Sequence, residues 1–582
     1  MHAFRFFILA SVGALLLAGC DDHEKQDTQS SRPDEQAGNL LSLSGYRELD
    51  PTWAGSYLSA RYAQQTFDWP RAAGFLQQVQ REKNGNDSIA RRLMLLSMGA
   101  GDFNTALEQS RKIKGTDSSG LTEFISLLGH VRDGEYMTAR HALDTLTPSP
   151  IVTFAKPAMQ AWLDVANGKV DLSALQSQPG MLYQRVLIAD FAGRPDLMGN
   201  TREVQVSINH MPAIAIERMG DIYMRHKLYE LAAIAYDAVA KISPSTPNII
   251  AKRKAAGDKT DLPTNVQVSG KIGDARAGIS TVLFDLATTF YNEESFETAQ
   301  LFAQMSLALK PDYDDVRLLV GNLLARNDRM DEAINLYRAI PETNPRYTQI
   351  QQQVAQLLTE QDRDSEAIET LNNLLAHAHN RDEKIGYLMQ MGDITRENEA
   401  FKTALDYYNQ IFKLLDNKID EENWEVLYAR GMTLERLKRW DDAEKDLKTA
   451  LAYRPNHPYL LNYLGYSWAD QNINLDEAVK LLLKAVEIVP EDGYVTDSVG
   501  WVYYRMGNYN KAIEYLERAV ELLPYDPTVN DHLGDAYAQN HRMREARFQW
   551  ERALNYSEDA NLKAAITEKL GGKIPEPIKS PN

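Results

Sequence analysis

The chain has 582 residues, of which 44% are hydrophobic, and its formal net charge is -18. A surface this acidic repels phosphate backbones, so the composition argues against nucleic acid as a partner. The one cysteine, Cys20, excludes disulfides, thiolate metal clusters and a cysteine nucleophile from the rest of the chain. No zinc-protease, serine-hydrolase or phosphate-loop motif is present, so we expect neither an enzyme nor a bound metal or cofactor.

The first segment is typical of an exported protein. An apolar run that ends at Leu17 follows Arg5 and is too short to cross a bilayer. It leads into Leu17-Ala18-Gly19-Cys20, which resembles the bacterial lipobox. The resemblance implies that residues 1–19 are a lipoprotein signal peptide and that the Cys20 thiol receives a diacylglycerol. The alternative is an ordinary signal peptide with an incidental cysteine.

Residues 20–45 are rich in Asp, Glu, Gln, Ser and Lys, which predicts a disordered tether behind the lipid. Acylation would anchor the protein to a membrane of the bacterial envelope, facing the periplasm, rather than span it. Asp21 directly after the cysteine resembles an inner-membrane retention signal of enterobacteria. Other bacteria read this position differently, so both membranes remain open.

Residues 46–244 carry a weak helical repeat. Ala60 and Ala72 are twelve positions apart, which predicts a helical hairpin over about 55–81. A better unit has its small residue at Gly220. We therefore expect degenerate N-terminal helical repeats over this region.

Residues 245–279 interrupt the repeat. They hold Pro247, Pro263 and the basic run Lys252-Arg253-Lys254. The composition favours a surface loop, and the alternative is a hinge or partner-contact element that divides an N-terminal arm from a C-terminal arm. The basic run either contacts anionic lipid or an acidic partner, or is simply solvated.

Residues 280–571 contain a regular array. A small residue recurs eight times, with an alanine twelve positions after each one. The small residues are Ala287, Gly321, Ala355, Gly392, Gly431, Gly465, Gly500 and Gly534. Because glycine inside a helix is costly, its recurrence at one phase predicts close approach of two helices, with the later alanine as the matching small surface. Each unit is a helical hairpin, and hairpins must stack to bury their apolar faces.

The best units match a known repeat family. Gly500, Tyr503, Ala512 and Ala519 occupy signature positions that recur at Gly534, Tyr537, Ala546 and Ala553, 34 residues later, and Pro524 closes the first of these units. The chain thus resembles a tetratricopeptide repeat (TPR) protein. The resemblance implies an all-α, right-handed α-solenoid that binds other proteins, and residues 572–582 remain as a tail.

The first helix of each hairpin is predicted to line the concave face of the array. Helical periodicity places positions three before and one, four and five after the small residue on that face, and aromatic residues six before extend it. Aromatic and arginine side chains are enriched in binding hot spots, and carboxylates and Asn462 suit a peptide backbone or a basic side chain. The alternative is that the aromatic residues fill grooves between hairpins. The predicted partner-binding residues are Tyr459, Asn462, Tyr466, Tyr494, Asp497, Trp501, Tyr504, Arg505, Asp531 and Asp535.

These features together predict a lipid-anchored periplasmic TPR adaptor that binds protein or peptide partners. The arrangement of lipobox, weak N-terminal repeats and strong C-terminal repeats resembles envelope lipoproteins that recruit carboxyl-terminal processing proteases. That resemblance implies an envelope protease as a partner, to which the adaptor would present substrates. The alternative is a structural component of an envelope assembly or secretion machine.

Overall fold

A computed structural model describes residues 52–82, 86–114, 120–148, 150–176, 178–242, 247–264, 266–378 and 380–573. The predicted signal peptide, Cys20, the tether 20–45 and the tail beyond Lys573 lie outside these residues. Throughout the described part the regular structure is helical and contains no β-strand. The chain divides into two compact units, Met1–Ile350 (unit 1) and Gln351–Asn582 (unit 2).

Unit 1 consists of helical hairpins interrupted by less regular segments. Consecutive helices pair as α1/α2, α3/α4, α5/α6, α11/α12, α14/α15 and α16/α17. Its α-helices are α1 (Trp53–Gln65), α2 (Trp69–Glu82), α3 (Asp87–Gly99), α4 (Phe103–Lys112), α5 (Leu121–Arg132), α6 (Tyr136–Thr145), α7 (Pro150–Ala166), α8 (Ser173–Gln176), α9 (Leu182–Ala192), α10 (Thr201–Ser207), α11 (Ala213–Arg225), α12 (Tyr229–Ile242), α13 (Pro247–Asp258), α14 (Ala275–Asn292), α15 (Phe296–Leu309), α16 (Asp314–Arg326) and α17 (Met330–Arg338). Short 3-10 turns cover Pro179–Met181, Pro195–Leu197 and Ile208–His210. The first pair confirms the hairpin predicted over 55–81.

The 245–279 stretch differs from the loop that its composition favours. It contains α13, and Lys252 in this helix is 1% exposed, because its Nζ lies 2.8 Å from Asp221 Oδ1 and 2.7 Å from Glu217 Oε1 of α11. The prediction that the basic run is solvated is therefore wrong for Lys252. Helices on both sides of the stretch belong to unit 1 and pack together, since α7 contacts α14, and α3 and α5 contact α15. The stretch thus does not separate two arms.

Unit 2 is the more regular half. Its hairpins are α20/α21, α22/α23, α24/α25, α26/α27 and α28/α29, and α30 packs on the last of them. The α-helices that complete the chain are α18 (Tyr347–Glu360), α19 (Asp364–Ala376), α20 (Arg381–Glu397), α21 (Phe401–Leu414), α22 (Trp424–Arg436), α23 (Trp440–Tyr453), α24 (Pro458–Asp470), α25 (Leu475–Ile488), α26 (Gly493–Arg505), α27 (Tyr509–Leu522), α28 (Pro527–Gln539), α29 (Met543–Tyr556) and α30 (Ala560–Leu570). A 3-10 turn covers Glu421–Asn423.

The repeated glycines permit close packing within each hairpin, as predicted, but the nearest neighbour is not the alanine side chain. A Cβ at Gly500 would lie 2.5 Å from Leu516 Cγ and 3.2 Å from the Ala512 carbonyl oxygen. At Gly534 the corresponding neighbour is the Trp550 ring, also at 2.5 Å. The glycine therefore makes room for a large side chain of the second helix, one turn beyond the alanine.

The turn inside each hairpin has a fixed backbone conformation. The residue seven positions after the small residue has a positive φ, for example +60° at Glu294, +61° at Lys438 and +75° at Gly507. This left-handed conformation reverses the chain after the first helix, although it is unfavourable for residues other than glycine. The period of the hairpins is thus visible in the backbone as well as in the packing.

Candidate protein-binding surface

The predicted site residues all lie in α24, α26 and α28, the first helices of the last three hairpins. We call the surface formed by α22, α24, α26 and α28 the first-helix face. Only two of the ten are strongly exposed, Tyr459 at 50% and Tyr494 at 59%. Four are half-buried, namely Asn462, Tyr466, Trp501 and Arg505. Four are buried, namely Asp497, Tyr504, Asp531 and Asp535.

Trp501 is the centre of an aromatic stack. Its ring lies 4.9 Å from the Tyr504 ring and 4.1 Å from the His532 ring, with interplanar angles of 13° and 17°. The Arg505 guanidinium lies 5.8 Å from the Trp501 ring centroid, within the range of a cation-π contact. The structure therefore brings together the three predicted residues Trp501, Tyr504 and Arg505, and adds His532.

His532 links two neighbouring repeats. Its Nδ1 lies 2.9 Å from Asp497 Oδ2 and 3.1 Å from Asp497 Oδ1, and both residues are buried. Burial alone would lower the pKa of the His532 imidazole, but the charge and hydrogen bond of Asp497 outweigh it and raise that pKa. The contact with Asp497 thus holds the imidazole ring against Trp501.

The carboxylates of Asp531 and Asp535 are also occupied by the protein itself. Lys569 of α30 places its Nζ 2.8 Å from both Asp531 oxygens and 2.9 Å from Asp535 Oδ2. Trp550 Nε1 donates a hydrogen bond of 3.0 Å to Asp535 Oδ1. Burial and the repulsion of Asp531 raise the pKa of the Asp535 carboxyl to about 6, against the opposing charge of Lys569. In this state, therefore, neither carboxylate is available to a partner.

Three other polar atoms of the predicted set have no partner. Asn462 Oδ1, Trp501 Nε1 and Arg505 Nε are buried and form no hydrogen bond within the described residues. They lie on α24 and α26, which pack against each other. Because almost all buried polar atoms in native proteins are hydrogen-bonded, these three are unusual. Trp501 Nε1 and Arg505 Nε are donors at the aromatic stack, and Asn462 Oδ1 is an acceptor on the neighbouring helix.

A second aromatic cluster lies between α22 and the start of α24 and was not predicted from the sequence. The Trp424 and His457 rings are 4.7 Å apart, and the Tyr428 and Tyr463 rings meet edge to face at 6.0 Å. Tyr459 joins this cluster through His457, at 6.0 Å. Tyr428 lies three positions before Gly431, so the rule that selected Asn462 would have found it. Applying that rule to one more repeat would have extended the predicted surface to α22.

Tyr494 does not join either cluster. Its hydroxyl donates a hydrogen bond of 3.2 Å to Asp526 Oδ2, which belongs to the N-cap of α28. Asp526 raises the pKa of the Tyr494 hydroxyl, with a smaller contribution from burial. Tyr494 therefore lies at the edge of the first-helix face.

A separate polar hollow of about 720 Å³ lies between α21 and α22. Arg430 forms one wall, with its Nε 2.7 Å from Asp446 Oδ2 and its guanidinium over the Phe412 ring. The other lining residues are Asp406, Asn409, Gln410, Lys413 and Asn417. Arg430 is committed to Asp446, so its position is explained by packing between hairpins.

Two further features bear on the kind of site. No group of three or more His, Cys, Asp or Glu side chains among the described residues is arranged to hold a metal ion. Of the helices between residues 52 and 573 that the structure describes, none has both the length and the apolar character needed to cross a membrane.

Comparison with known proteins agrees with this architecture. Tetratricopeptide repeat family models match residues 296–357, 428–493 and 498–526. Together with the stacked hairpins, these matches define the class: the molecule is an all-helical α-solenoid. Residues 296–357, 428–493 and 498–526 thus carry tetratricopeptide repeats, a repeat type that is typical of protein-interaction scaffolds.

Two curated relatives share short segments with the chain. The TPR repeat-containing protein PA4667 of Pseudomonas aeruginosa is 40% identical over 86 residues, which is 15% of each chain. The BBSome complex member BBS4 of Bos taurus is 32% identical over 108 residues, or 19% of this chain and 20% of BBS4. The matches thus span a fifth or less of either relative.

Solved structures of MamA also align with part of the chain. MamA from Desulfovibrio magneticus RS-1 is 20% identical, covers 31% of this chain and 96% of its own, and gives a TM-score of 0.26. MamA from AMB-1 is 22% identical, covers 32% of this chain and 98% of its own, and gives a TM-score of 0.25.

Proposed function

We propose that the first-helix face of unit 2 binds an extended segment of another protein. The observation that carries the proposal is the set of unpartnered buried atoms Trp501 Nε1 and Arg505 Nε at the stacked rings and Asn462 Oδ1 on the neighbouring helix. A buried polar atom without a hydrogen bond costs about 1–3 kcal/mol, and a ligand can recover that cost by supplying the bond.

An extended peptide has the matching chemistry. Its backbone offers N–H donors to Asn462 Oδ1 and carbonyl acceptors to Trp501 Nε1 and Arg505 Nε. The ring of Trp501 supplies apolar contact area next to these groups, as is usual for a hot spot at an interface. The peptide backbone therefore supplies affinity, and the side chains beside the two aromatic clusters supply selectivity.

The experiment is capture of partners from cross-linked bacterial envelopes. The wild-type protein and the Asn462→Ala/Trp501→Ala double variant are purified from solubilised membranes, and the recovered proteins are identified by mass spectrometry. We expect the double variant to lose the specific partners, because it removes one acceptor, one donor and the central ring. Tyr525→Ala is the matched control, since Tyr525 is an aromatic residue that is 70% exposed and belongs to neither aromatic cluster. Equal recovery with the double variant would refute the proposed site.

A milder variant tests the hydrogen bonds themselves. Trp501→Phe keeps an aromatic ring in the stack but removes Nε1. With a purified partner, we expect its affinity to fall by roughly ten-fold, which corresponds to one lost hydrogen bond of about 1.4 kcal/mol. Unchanged affinity would show that the ring, and not its N–H, makes the contact.

The cellular setting that we propose is the bacterial envelope, with the protein attached through Cys20 and facing the periplasm. The support is the sequence Leu17-Ala18-Gly19-Cys20 behind an apolar run. A tether raises the local concentration of the scaffold at the membrane, which favours capture of membrane-associated partners. Metabolic labelling with a palmitate analogue tests the anchor: Cys20→Ser should lose both the label and the membrane fraction. A labelled Cys20→Ser protein would contradict it.

The partner class that we favour is an envelope protease to which the scaffold presents substrates. The support is the similarity of the lipobox and repeat arrangement to protease-recruiting lipoproteins. The envelope capture experiment separates this proposal from a structural role. Recovery of a protease with its substrates supports it, whereas recovery of a stoichiometric set of assembly or secretion subunits contradicts it.

A further inference from the structure

The last helix contributes one charged side chain to the first-helix face. Helix α30 (Ala560–Leu570) follows the final hairpin and has Ile566 as its one buried residue. Near its C-terminal end, Lys569 extends to the carboxylates of Asp531 and Asp535 on α28. The Lys569 side chain is 14% exposed, and those of Asp531 and Asp535 are 10% and 8% exposed. An ammonium group is therefore enclosed by two carboxylates within the predicted partner surface.

The geometry of this site suits a primary ammonium ion. Four contacts of 2.8–2.9 Å join Lys569 Nζ to the carboxylate oxygens of both aspartates, so all three donors of the ammonium group have acceptors. Trp550 Nε1 fixes Asp535 from the opposite side. The carboxylate pair is thus positioned by α28 and α29, and not by α30 itself.

Besides this contact, α30 is a short terminal helix held by three apolar side chains. The helix has 11 residues, and isolated helices of that length are marginally stable in water. Ile566 is buried in the core of the last repeats, and Leu562 and Leu570 are partly buried against it. Terminal elements of this kind open at low free-energy cost compared with the core. When α30 opens, Asp531 and Asp535 become accessible next to His532 and Trp501.

We propose that Asp531 and Asp535 form a binding site for a lysine side chain of the partner, and that Lys569 occupies this site as an internal competitor. The proposal rests on the proposed function, because it assigns a subsite on the same face. A bound partner would replace Lys569 with its own lysine while its backbone contacts Asn462, Trp501 and Arg505. Displacement of α30 would then accompany binding.

The test uses a lysine-containing probe and the full-length mature chain. The probe is a fluorescein-labelled, amidated peptide with the sequence Ala-Ala-Lys-Ala-Ala, and binding is measured by fluorescence anisotropy. We expect Lys569→Met to bind it about ten-fold more tightly than the wild type, because removing a competitor raises the fraction of open sites. Lys563→Met is the matched control: it lies in the same helix, is exposed, and changes the net charge equally. The control should bind like the wild type.

Two further variants define the site. Asp531→Asn in the Lys569→Met background should lose the gained affinity, and Lys569→Arg should remain close to the wild type. Circular dichroism verifies that each variant is folded. If Lys569→Met binds the probe no more tightly than Lys563→Met, the lysine site is wrong.

Hydrogen exchange tests the competition directly. In the wild type, saturating peptide should accelerate amide exchange in α30, and the same peptide with glutamine in place of lysine should not. Unchanged exchange in α30 at saturation would overturn the competitor role.

The test of the lysine site can fail or succeed independently of the test of the proposed function. If Lys569→Met gains peptide affinity while Asn462→Ala/Trp501→Ala captures partners normally, the lysine site stands and the backbone-binding site fails.

Discussion

The two units share one means of holding helices together and differ in a second. In unit 2 each hairpin is closed by a glycine in one helix and a large side chain in the other, as at Gly500 and Leu516. Unit 1 uses the same fit at Gly220 with Tyr236 and at Gly321 with Tyr337, and adds polar contacts between helices, such as Lys252 with Asp221 and Gln184 with Asp285. The regular half is therefore specified by steric fit, which repeats along the sequence. The irregular half has this fit at some hairpins and also depends on individual polar pairs, which do not repeat.

The polar contacts of unit 1 join segments that are far apart in the sequence. Gln184 donates hydrogen bonds of 2.7 Å to Asp285 Oδ2 and 3.1 Å to Thr281 Oγ1, and accepts one of 3.0 Å from Trp162 Nε1. Gln300 Nε2 donates a hydrogen bond of 3.1 Å to the Gly99 carbonyl oxygen. These bonds tie the N-terminal hairpins to α14 and α15. The contrast between units can be tested by substitutions in each.

The largest effect is expected at Lys252. Lys252→Met keeps the length of the side chain but leaves Asp221 buried without its cation. Removing one partner of a buried ion pair costs about 3–5 kcal/mol. We expect amide exchange in α11 and α13 to accelerate accordingly and thermal unfolding of unit 1 to shift downward.

Lys254→Met is the matched control, because Lys254 lies in the same helix and is exposed. It should change stability little, as is usual for surface charges. If Lys252→Met behaves like Lys254→Met, buried ion pairs do not hold unit 1 together.

Steric fit in unit 2 predicts the next largest effect. Gly500→Ala places a methyl group 2.5 Å from Leu516 Cγ, so we expect a loss of roughly 1–3 kcal/mol from overpacking. Gly386→Ala is the control within α20, because nothing lies within 4 Å of its added Cβ. That variant should gain up to about 1 kcal/mol from helix propensity. Urea unfolding of both proteins checks the opposite signs, and equal signs would contradict a role for close approach.

The fold and the site were predictable from sequence to different degrees. The hairpins and their small residues recur at a fixed spacing, so local patterns identify them. The alanine twelve residues on was predicted as the matching small surface, and its backbone does lie close to the glycine, but the large side chain beside each glycine was not predicted. In the structure the second helix brings Leu516 and Trp550 over the glycines, four residues after the alanine.

The contacts that the sequence analysis missed are long-range and unrepeated. Lys569 is 38 residues from Asp531, and Lys252 is 31 residues from Asp221. His532 lies between the positions that helical periodicity selects, yet it contacts both Asp497 and Trp501. Nothing in a repeat pattern identifies such partners, because each occurs once. The predicted aromatic cluster around Trp501 was found because it follows the repeat.

A smaller, pH-dependent effect is expected at Asp285 of unit 1. Burial raises the pKa of its carboxyl to about 7, with Gln184 and Arg218 opposing the shift. A raised carboxyl pKa favours the folded state below the unfolded value of about 4, and this contribution is lost as the pH rises to about 7. Asp285→Asn keeps an oxygen that can accept the Gln184 hydrogen bond but does not titrate.

The stability of Asp285→Asn relative to the wild type should therefore increase between pH 4.5 and pH 7.5, by roughly 1–2 kcal/mol after allowance for partial exposure. Urea unfolding at several pH values measures the difference, in which all other titrating groups cancel. A pH-independent difference would show that the Asp285 carboxyl titrates normally.

The smallest effect concerns a feature that both units share, the left-handed residue in each turn. Lys438→Gly relieves the steric cost of φ +61° and should stabilise its hairpin, whereas Gly507→Ala introduces that cost at φ +75°. Each change is expected to be about 0.5–1 kcal/mol, with opposite signs. Glycine also loses more backbone entropy on folding, so the gain at Lys438 should be smaller than the loss at Gly507. Thermal unfolding of the two variants measures the gain and the loss.

Lys227→Gly repeats the substitution of a left-handed lysine in unit 1, at φ +58°. A similar gain there would show that the turn is set by the hairpin itself and does not depend on how the surrounding helices are packed.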